Sequence, residues 1–476
     1  MNRPTTSRGR RAAAALRVLV VVALLAGSAI AGPPAKGPLR RLESNPRYFT
    51  DGSGKAVLLV GSHQWHNFQD NGHRLNDSQD LPPAFDFDAY LDFLGKHDHN
   101  FFRLWRWESP KWTDEQPKGV VKYCRPHPWP RTGPGLAADG KPKFDLTRFD
   151  PEYFDRLRDR VTKARDRGIY VSVMLFEGWE LQFTDAWKTH PFHAPNNVNG
   201  VDADPGGRGT RYNELRDDAN GRRVLELQEA YVRKVIDNVG DLDNVLYEAC
   251  NEAGAPSKAW QYHIIDFIHK YEAGKGKRHP VGMTFMYAGG TNQDLLDSPA
   301  DWVSPNPGGP SDRYNYRSNP SPKDVGKVVV NDTDHLWGHT GGDSAWVWKS
   351  FTRGLNVLFM EELTPSPTWQ DSARVAMGQA RRFADAIDLA HMPPKPELVQ
   401  TGYLLAAPGR EYLAYQDGSQ GEFWIDLKDA SGKFAVTWFD TATGKSHDGR
   451  PVAGGGRRVL TTPFPGAAAV HLKRAE

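Results

Sequence analysis

Between residues 56 and 363, eight short apolar runs alternate with longer amphipathic stretches, and this order limits the fold more than any single motif does. The runs are AVLLVGS (56–62), NFFRLWRW (100–107), IYVSVMLF (169–176), NVLYEAC (244–250), PVGMTFMY (280–287), DWVSP (301–305), KVVVND (327–332) and NVLFMEEL (356–363). Strands alternating with helical spacing make a parallel sheet with helical crossovers. Eight such units are the count of a (β/α)8 TIM barrel, an α/β fold expected here over residues 38–390.

The intervening stretches carry helix marks of their own. Asp150 stands as an N-cap with Pro151 at the first helical position, Phe154, Leu157, Val161 and Ala164 share one face, and Gly168 ends the helix. The same spacing recurs at Phe87, Tyr90, Leu91 and Leu94, and at Tyr231, Val232, Val235 and Ile236. Three segments after strands are long, roughly 108–145, 177–221 and 332–350, and in such a barrel they wall the face that carries the chemistry. They hold Trp112, Trp129, Trp179, Trp187, Trp337, Trp346 and Trp348. From about residue 391 the pattern changes. Pro393, Pro394 and Pro396 suggest a linker, and LVQTGYLLAA, EYLAYQ, GEFWIDL, FAVTWFD and AAAVHLKR are then parted by turn clusters such as DGSQG and TATGK. About six short strands without helical period predict a small antiparallel β-sandwich over 391–476.

Arg3, Arg8, Arg10, Arg11 and Arg17 precede the uncharged run VLVVVALLAGSAIA, which closes on Ala29, Ile30 and Ala31. That is the pattern of a signal peptide over 1–31, so a secreted or periplasmic protein is expected. The apolar core is shorter than the ~20 residues a membrane span needs, so no span is expected after cleavage. The formal charge of +2 includes those five arginines, with no acid among them, and without them it falls to about −3. That balance gives no electrostatic reason to expect a nucleic-acid partner. Cys124 and Cys250 are the only cysteines, so disulfides do not hold the fold; a single bridge between them is the alternative to two free thiols.

Residues 244–254, NVLYEACNEAG, leave Asn251 and Glu252 where a buried parallel strand ends. Cleaving a glycosidic bond needs one carboxyl group to protonate the leaving oxygen and a second to attack or stabilise the anomeric carbon. Glu252 suits the first role, and Asn251 can hydrogen-bond a sugar hydroxyl. Ala253, Gly254, Ala255 and Pro256 delay the next helix, which argues against Asn251 and Glu252 serving merely as its cap.

Tyr247, Glu248, Asn251 and Glu252 together resemble the strand-four hallmark of clan A glycoside hydrolases, in which the Glu of the Asn-Glu pair is the acid/base. Phe102-Arg103-Leu104-Trp105 is similar to the clan's strand-two motif, whose arginine braces the nucleophile. The opening NPRYFTDGSGKAVLLVGSHQW resembles apiosidase-like barrels, and WFDTATGK with PFPGAAAVHLKR is similar to the collagen-binding-type β domain that often follows them. The resemblance spans nearly all of the chain after residue 31. It implies a nucleophile at the end of strand seven, usually a Glu, where this chain has Asp332 and Asp334. By register Asp332 takes that slot, with Asp334 as the active carboxylate in the alternative. A different strand count would make Glu361 the nucleophile.

Other polar residues fall at strand ends. His63, Glu177, His335 and Glu361 are expected to bind substrate alongside Asn251 and Arg103, and Trp65, Trp107, Trp179 and Trp337 to stack on sugar rings, as Trp105 also can. Glu108, Glu180 and Glu362 are further acids whose expected role is to bind hydroxyls or arginines. A metal-dependent hydrolase is a weaker fit, because strand one ends in His63-Gln64-Trp65-His66 instead of His-x-His, and no cofactor is expected. His97 and His99 lie at a helix end, where cations complement the dipole. The expected partner is a carbohydrate, hydrolysed by a retaining mechanism; a non-catalytic glycan-binding or matrix-binding barrel is the alternative.

Overall fold

A computed structural model describes the protein over residues 33–74, 84–113, 120–361 and 370–475, so the expected signal peptide and Glu362 lie outside the described residues. All eight expected strands form: β1 Val60–His63, β2 Phe101–Leu104, β3 Tyr170–Met174, β4 Val245–Glu248, β5 Val281–Thr284, β6 Trp302–Ser304, β7 Val328–Asp332 and β8 Asn356–Met360. They pair in parallel from β2 through β8 and on to β1. Asn100 completes the ring. Its backbone N–H donates to the Val60 carbonyl at 2.9 Å, and its side chain accepts from the Val60 N–H at 2.9 Å and donates to Leu58 at 3.0 Å. Gly61 permits this approach, since a Cβ there would stand 1.7 Å from the Phe101 carbonyl oxygen.

Helices α1 Phe87–Lys96, α2 Pro151–Asp166, α3 Ala219–Val239, α4 Lys258–Ala273 and α5 Asn292–Asp297 follow the first five strands, α6 Ser344–Thr352 follows β7, and α7 Asp371–Ala386 follows β8. Asp150 caps α2 by accepting from the Glu152 N–H at 2.9 Å, and Phe154, Leu157, Val161 and Ala164 are its buried face. One crossover departs from expectation: residues 305–327, between β6 and β7, contain no helix.

Alternation along each strand decides what reaches the site. Leu59, Phe101, Tyr170, Leu246, Trp302, Val330 and Leu358 come from seven strands or their entries and pack together, so they fill the barrel interior, above Ala35, Leu39 and Phe49. Their neighbours Phe102, Val171, Tyr247, Met283 and Val303 face the helices. Two residues beyond this interior layer, on the same side, stand Arg103, Glu248, Ser304 and Asp332.

The C-terminal region has seven strands: β9 Leu404–Ala407, β10 Glu411–Gln416, β11 Glu422–Asp426, β12 Lys433–Asp440, β13 Lys445–Ala453, β14 Arg457–Thr461 and β15 Ala468–Arg474. An antiparallel sheet in the order β9-β10-β15-β12-β13 packs on the pair β11-β14. β13 and β14 are largely exposed, with Val452 and Ala453 at the end of one and Val459 and Leu460 in the other, so no long hydrophobic run announces them. Leu404, Ala406, Tyr412 and Val470 face Phe423, Ile425 and Leu460 inside the sandwich. The opposite face of the large sheet, Leu405, Leu413, Tyr415, Phe439 and Ala469, packs on α6 and α7. Trp348, expected in a loop but lying on α6, stacks on Tyr415 there, with ring centroids 5.9 Å apart, so it serves the packing of the two parts and not the site wall. Each large apolar side chain so buried contributes roughly 1.5–3 kcal/mol. The proline segment is bound to the sheet edge, with Lys395 N–H donating to the Leu404 carbonyl at 2.9 Å and Ala406 N–H to Pro393 at 3.1 Å. Cys124 and Cys250 are both buried and free. Among the described residues, no helix is long and apolar enough to cross a membrane.

Candidate active site

Arg103, fully buried on β2, is the hub at the C-terminal end of the barrel. Its Nε and Nη2 donate to Glu248 at 2.8 and 2.6 Å, Nη2 also donates to Asn251 Oδ1 at 2.6 Å, and Nη1 donates to Asp332 and Asp334 at 3.0 and 2.9 Å. All five N–H groups are thus engaged. Burial alone would lower its pKa, but Glu248, then Asp332 and Asp334, hold the guanidinium charged. Glu248, to which the sequence reading gave no role, is its principal partner. The signal was available, because Glu248 stands two residues beyond the interior Leu246.

The two aspartates at the end of β7 and just beyond it differ. Asp332 is 0% exposed; its Oδ1 accepts from His63 Nε2 and from the Asp334 backbone N–H, both at 3.0 Å, and its Oδ2 from Arg103. Burial would raise its pKa, but His63 and Arg103 outweigh that and hold the carboxylate far below its usual range. Asp332 also caps the short helix Thr333–Trp337, which turns Asp334 back toward Arg103. Asp334 Oδ2 is held by Arg103, while Oδ1 has no hydrogen-bond partner among the described residues. Burial and the neighbouring Asp332 raise its pKa, against the pull of Arg103.

Glu252 lies just past β4 with φ +44°, a left-handed conformation uncommon for a side-chain-bearing residue. The β3–β4 ladder reaches this point, with Asn251 N–H donating to Phe176 and Gly178 N–H to Asn251, both at 2.9 Å. Gly178 is required there, since a Cβ would meet the Ala253 Cα at 2.5 Å. Neither Glu252 carboxyl oxygen is hydrogen-bonded among the described residues. Burial, then repulsion from Asp334 and Glu177, pushes its pKa well above that of an ordinary glutamate.

Asn251 links the parts. Its Oδ1 accepts from Arg103 and from His335 Nε2 at 3.2 Å, and its Nδ2 donates to Glu177 at 3.2 Å. His335 Nδ1 in turn meets Ser304 Oγ at 2.7 Å, and burial and Arg103 depress its pKa to about 3, so the ring is neutral. The donor atoms of Asp332, Asp334 and His335 lie within 4.8 Å of one another, as a metal site would require. Arg103 Nη1 already bridges the two carboxylates, and Ser304 and Asn251 take both ring nitrogens, so the set fits a guanidinium and not a metal ion.

Other expected residues divide. His63 stacks on Trp105 with centroids 5.6 Å apart, so it positions Asp332 from a fully buried place instead of facing substrate. Trp65, Trp179 and Trp337 keep part of their surface open. Trp107 does not: it is buried between Trp65 and Trp112, and its Nε1 donates to the Trp65 carbonyl at 2.9 Å, which corrects its expected role as a platform. Glu361 is also corrected. It forms a buried, bidentate pair with Arg374 at 2.8 and 2.6 Å on β8's far side, and the strand count makes β8 the eighth strand, not the seventh. Glu177 accepts from the N–H groups of Trp179 and Glu180 at 2.9 and 3.0 Å, which anchors the loop after β3. His97 and His99 bond to Phe93, Ser62 and Arg374, and burial lowers the pKa of both, His99 to about 3, so they are not the helix-end cations expected.

No functionally curated protein matches the chain in sequence. Residues 121–296 match the model of a domain of unknown function, DUF6298. Among solved structures, the chain is similar to a glycoside hydrolase family 5 protein from Bacteroides vulgatus ATCC 8482, at 11% identity over 92% of this chain and 93% of that one, with a TM-score of 0.58. It is similar to a second protein described as a glycoside hydrolase, at 11% identity over 92% and 97% of the two chains and a TM-score of 0.56. A candidate glycoside hydrolase from the same Bacteroides vulgatus strain matches at 13% identity over 94% and 84%, with a TM-score of 0.60. What this chain shares with them over most of its length is the fold: a barrel on which glycoside hydrolases are built.

Proposed function

We propose that the protein is a secreted glycoside hydrolase that cleaves O-glycosidic bonds of a poly- or oligosaccharide, with Glu252 as general acid/base and Asp334 as the second carboxylate. The observation that carries this is the contrast between committed and uncommitted carboxyl oxygens around Arg103. Asp332 and Glu248 are bound by fixed donors, whereas Glu252 and Asp334 Oδ1 are open to a ligand. Arg103 favours the anion on Asp334, so of the two repelling groups Glu252 holds the proton. Glu252 then protonates the leaving oxygen as Asp334 attacks the anomeric carbon, and Glu252, now a base, takes a proton from the water that releases the sugar. Asn251, fixed by Arg103 and Glu177, offers its remaining Nδ2 hydrogen to a sugar hydroxyl.

The test is product release from plant-wall and microbial polysaccharides, with NMR of the anomer first released. Net retention supports the two-step displacement, and inversion would move Asp334 from nucleophile to base. A second reading, glycan binding without turnover, draws on the aspartate standing where a glutamate is usual in the family resembled. Binding without any product release would favour it.

A further inference from the structure

Beside Glu252, the loops after β3, β4 and β5 enclose a cleft of about 250 Å3 lined by Gln182, Asn213, Glu214, Gly254, Ser257 and Ala288 among others. The cleft is joined to the acid/base itself, for Gln182 Nε2 donates to the Glu252 carbonyl at 2.7 Å. Glu252 and Ala288, at its two sides, hold φ values of +44° and +56°, and strained backbone of this kind gathers where ligands are gripped. Asn213 is only 2% exposed, and its Nδ2 donor has no partner among the described residues. A buried amide in that state is satisfied when a hydroxyl oxygen enters. Along the rim runs an aromatic ridge: Trp179 lies 5.7 Å from Phe183, and Phe183 lies 5.1 Å from Tyr287, which is 45% exposed. Each ridge residue is the sequence neighbour of a lining residue, Gly178, Gln182 or Ala288.

An unsatisfied polar donor opposite an aromatic ridge suits a sugar ring, which offers hydroxyls at its edge and C–H groups on its face. We propose that this cleft is a second carbohydrate subsite, holding the ring on the leaving-group side of the bond that Glu252 protonates; this rests on the hydrolase reading above. Ala253 and Gly254, which follow the acid/base, and Gln182, which holds its carbonyl, form the wall, so a ring seated there would present its linking oxygen toward Glu252.

The experiment is calorimetry on Glu252→Gln protein with xylotetraose, cellotetraose, mannotetraose and arabinotetraose and with the matching monosaccharides, together with a cleavage assay of the same tetraoses by the unsubstituted protein. For the tetraose that is cleaved, adding Asn213→Ala or Tyr287→Ala is expected to weaken binding 5- to 20-fold and to shrink the advantage of the tetraose over its monosaccharide. Among the described residues Asn213 Nδ2 donates no hydrogen bond, and Tyr287 is exposed, so both variants are expected to melt as the parent does. Unchanged tetraose affinity in both variants would overturn the subsite and leave the hydrolase reading standing. A protein that neither binds nor cleaves any of the four overturns the hydrolase reading, and the subsite with it.

Discussion

Two acid-rich patches lie at the strand ends, each around a buried arginine, Arg103 on β2 and Arg106 just after it, and they differ in what their acids are left to do. Around Arg106, Glu108 takes the one charged bond at 2.6 Å, and the guanidinium otherwise lies among Tyr231, Phe176 and Trp129. The other acids there are held by backbone N–H groups: Glu180 by Glu108 and Ser109 at 3.1 and 2.9 Å, Glu177 by Trp179 and Glu180. This patch staples the loops after β2 and β3. Around Arg103 every donor goes to an acid or to Asn251, yet Glu252 and one oxygen of Asp334 stay uncommitted. Glu180 too keeps one buried oxygen, Oε2, without a partner among the described residues, so a spare oxygen alone does not single out the proposed active site; what sets the Arg103 patch apart is that Glu252 and Asp334 are left uncommitted together and repel each other.

The sharpest way to break this comparison is to neutralise one acid in each patch. Glu252→Gln and Asp334→Asn are each expected to lower turnover by at least ~10³-fold, near the upper range of proton-transfer and nucleophile losses, with melting temperatures close to the parent. Glu180→Gln is expected to cost less than about ten-fold, since its carboxyl serves the loops. Equal losses in the two patches, read by steady-state kinetics, would erase the distinction. Arg103→Met comes next. It leaves Glu248, Asp332 and Asp334 without their shared cation and is expected to cost about 3–5 kcal/mol in urea unfolding, the scale for breaking a buried charge pair. Asp332→Asn is expected to lose about 1–3 kcal/mol through its bonds to His63 and Arg103, whereas Asp334→Asn, with one oxygen free, loses less. If Asp332→Asn proved fully stable but inactive, the catalytic role would pass from Asp334 to Asp332.

Much of this was legible in the residues. The eight apolar runs are the eight strands, because a strand covered on both faces must be apolar throughout. The Asn251–Glu252 pair, Arg103 and the β7 aspartates stand at strand ends, where a barrel gathers its chemistry. The rest depended on contacts between distant segments. Choosing between Asp332 and Asp334 needed the turn Thr333–Trp337, which directs the second aspartate and leaves the first as its cap. Trp107 is buried by Trp65 and Trp112, neither of which its local sequence reveals as a neighbour. Glu361 is claimed by Arg374, thirteen residues later on α7, across a segment that is not described. β13 was invisible because an exposed strand needs no apolar residues.

Asp332 and the loop acids Glu177 and Glu180 also differ in the sign of their pH dependence, and this is the smallest effect expected. Burial raises Glu177 to about 8, and burial with repulsion from Glu177 and Glu108 raises Glu180 as well. An unfolded glutamate titrates near ~4.3, so above that pH the folded state keeps protons that the unfolded chain sheds. The stability these groups contribute is full below about pH 4.3 and is lost as pH rises through their folded values, with a slope approaching ~1.4 kcal/mol per pH unit for each proton held. Asp332 has the opposite sign: its folded pKa is depressed, so its contribution is present above the unfolded value and lost only in strong acid. Between pH 5 and 8 the contribution of Asp332 is therefore level, whereas the protons held by Glu177 and Glu180, and by Glu252 beside Arg103, make stability slope downward. Stability in urea unfolding across that window is expected to fall in the parent and to fall less steeply in Glu180→Gln, whose amide has no proton to lose, while Glu177 and Glu252 keep theirs. A slope that survives Glu180→Gln unchanged would move the held proton elsewhere, and a parent with no slope would mean that both loop acids are ionised in the fold.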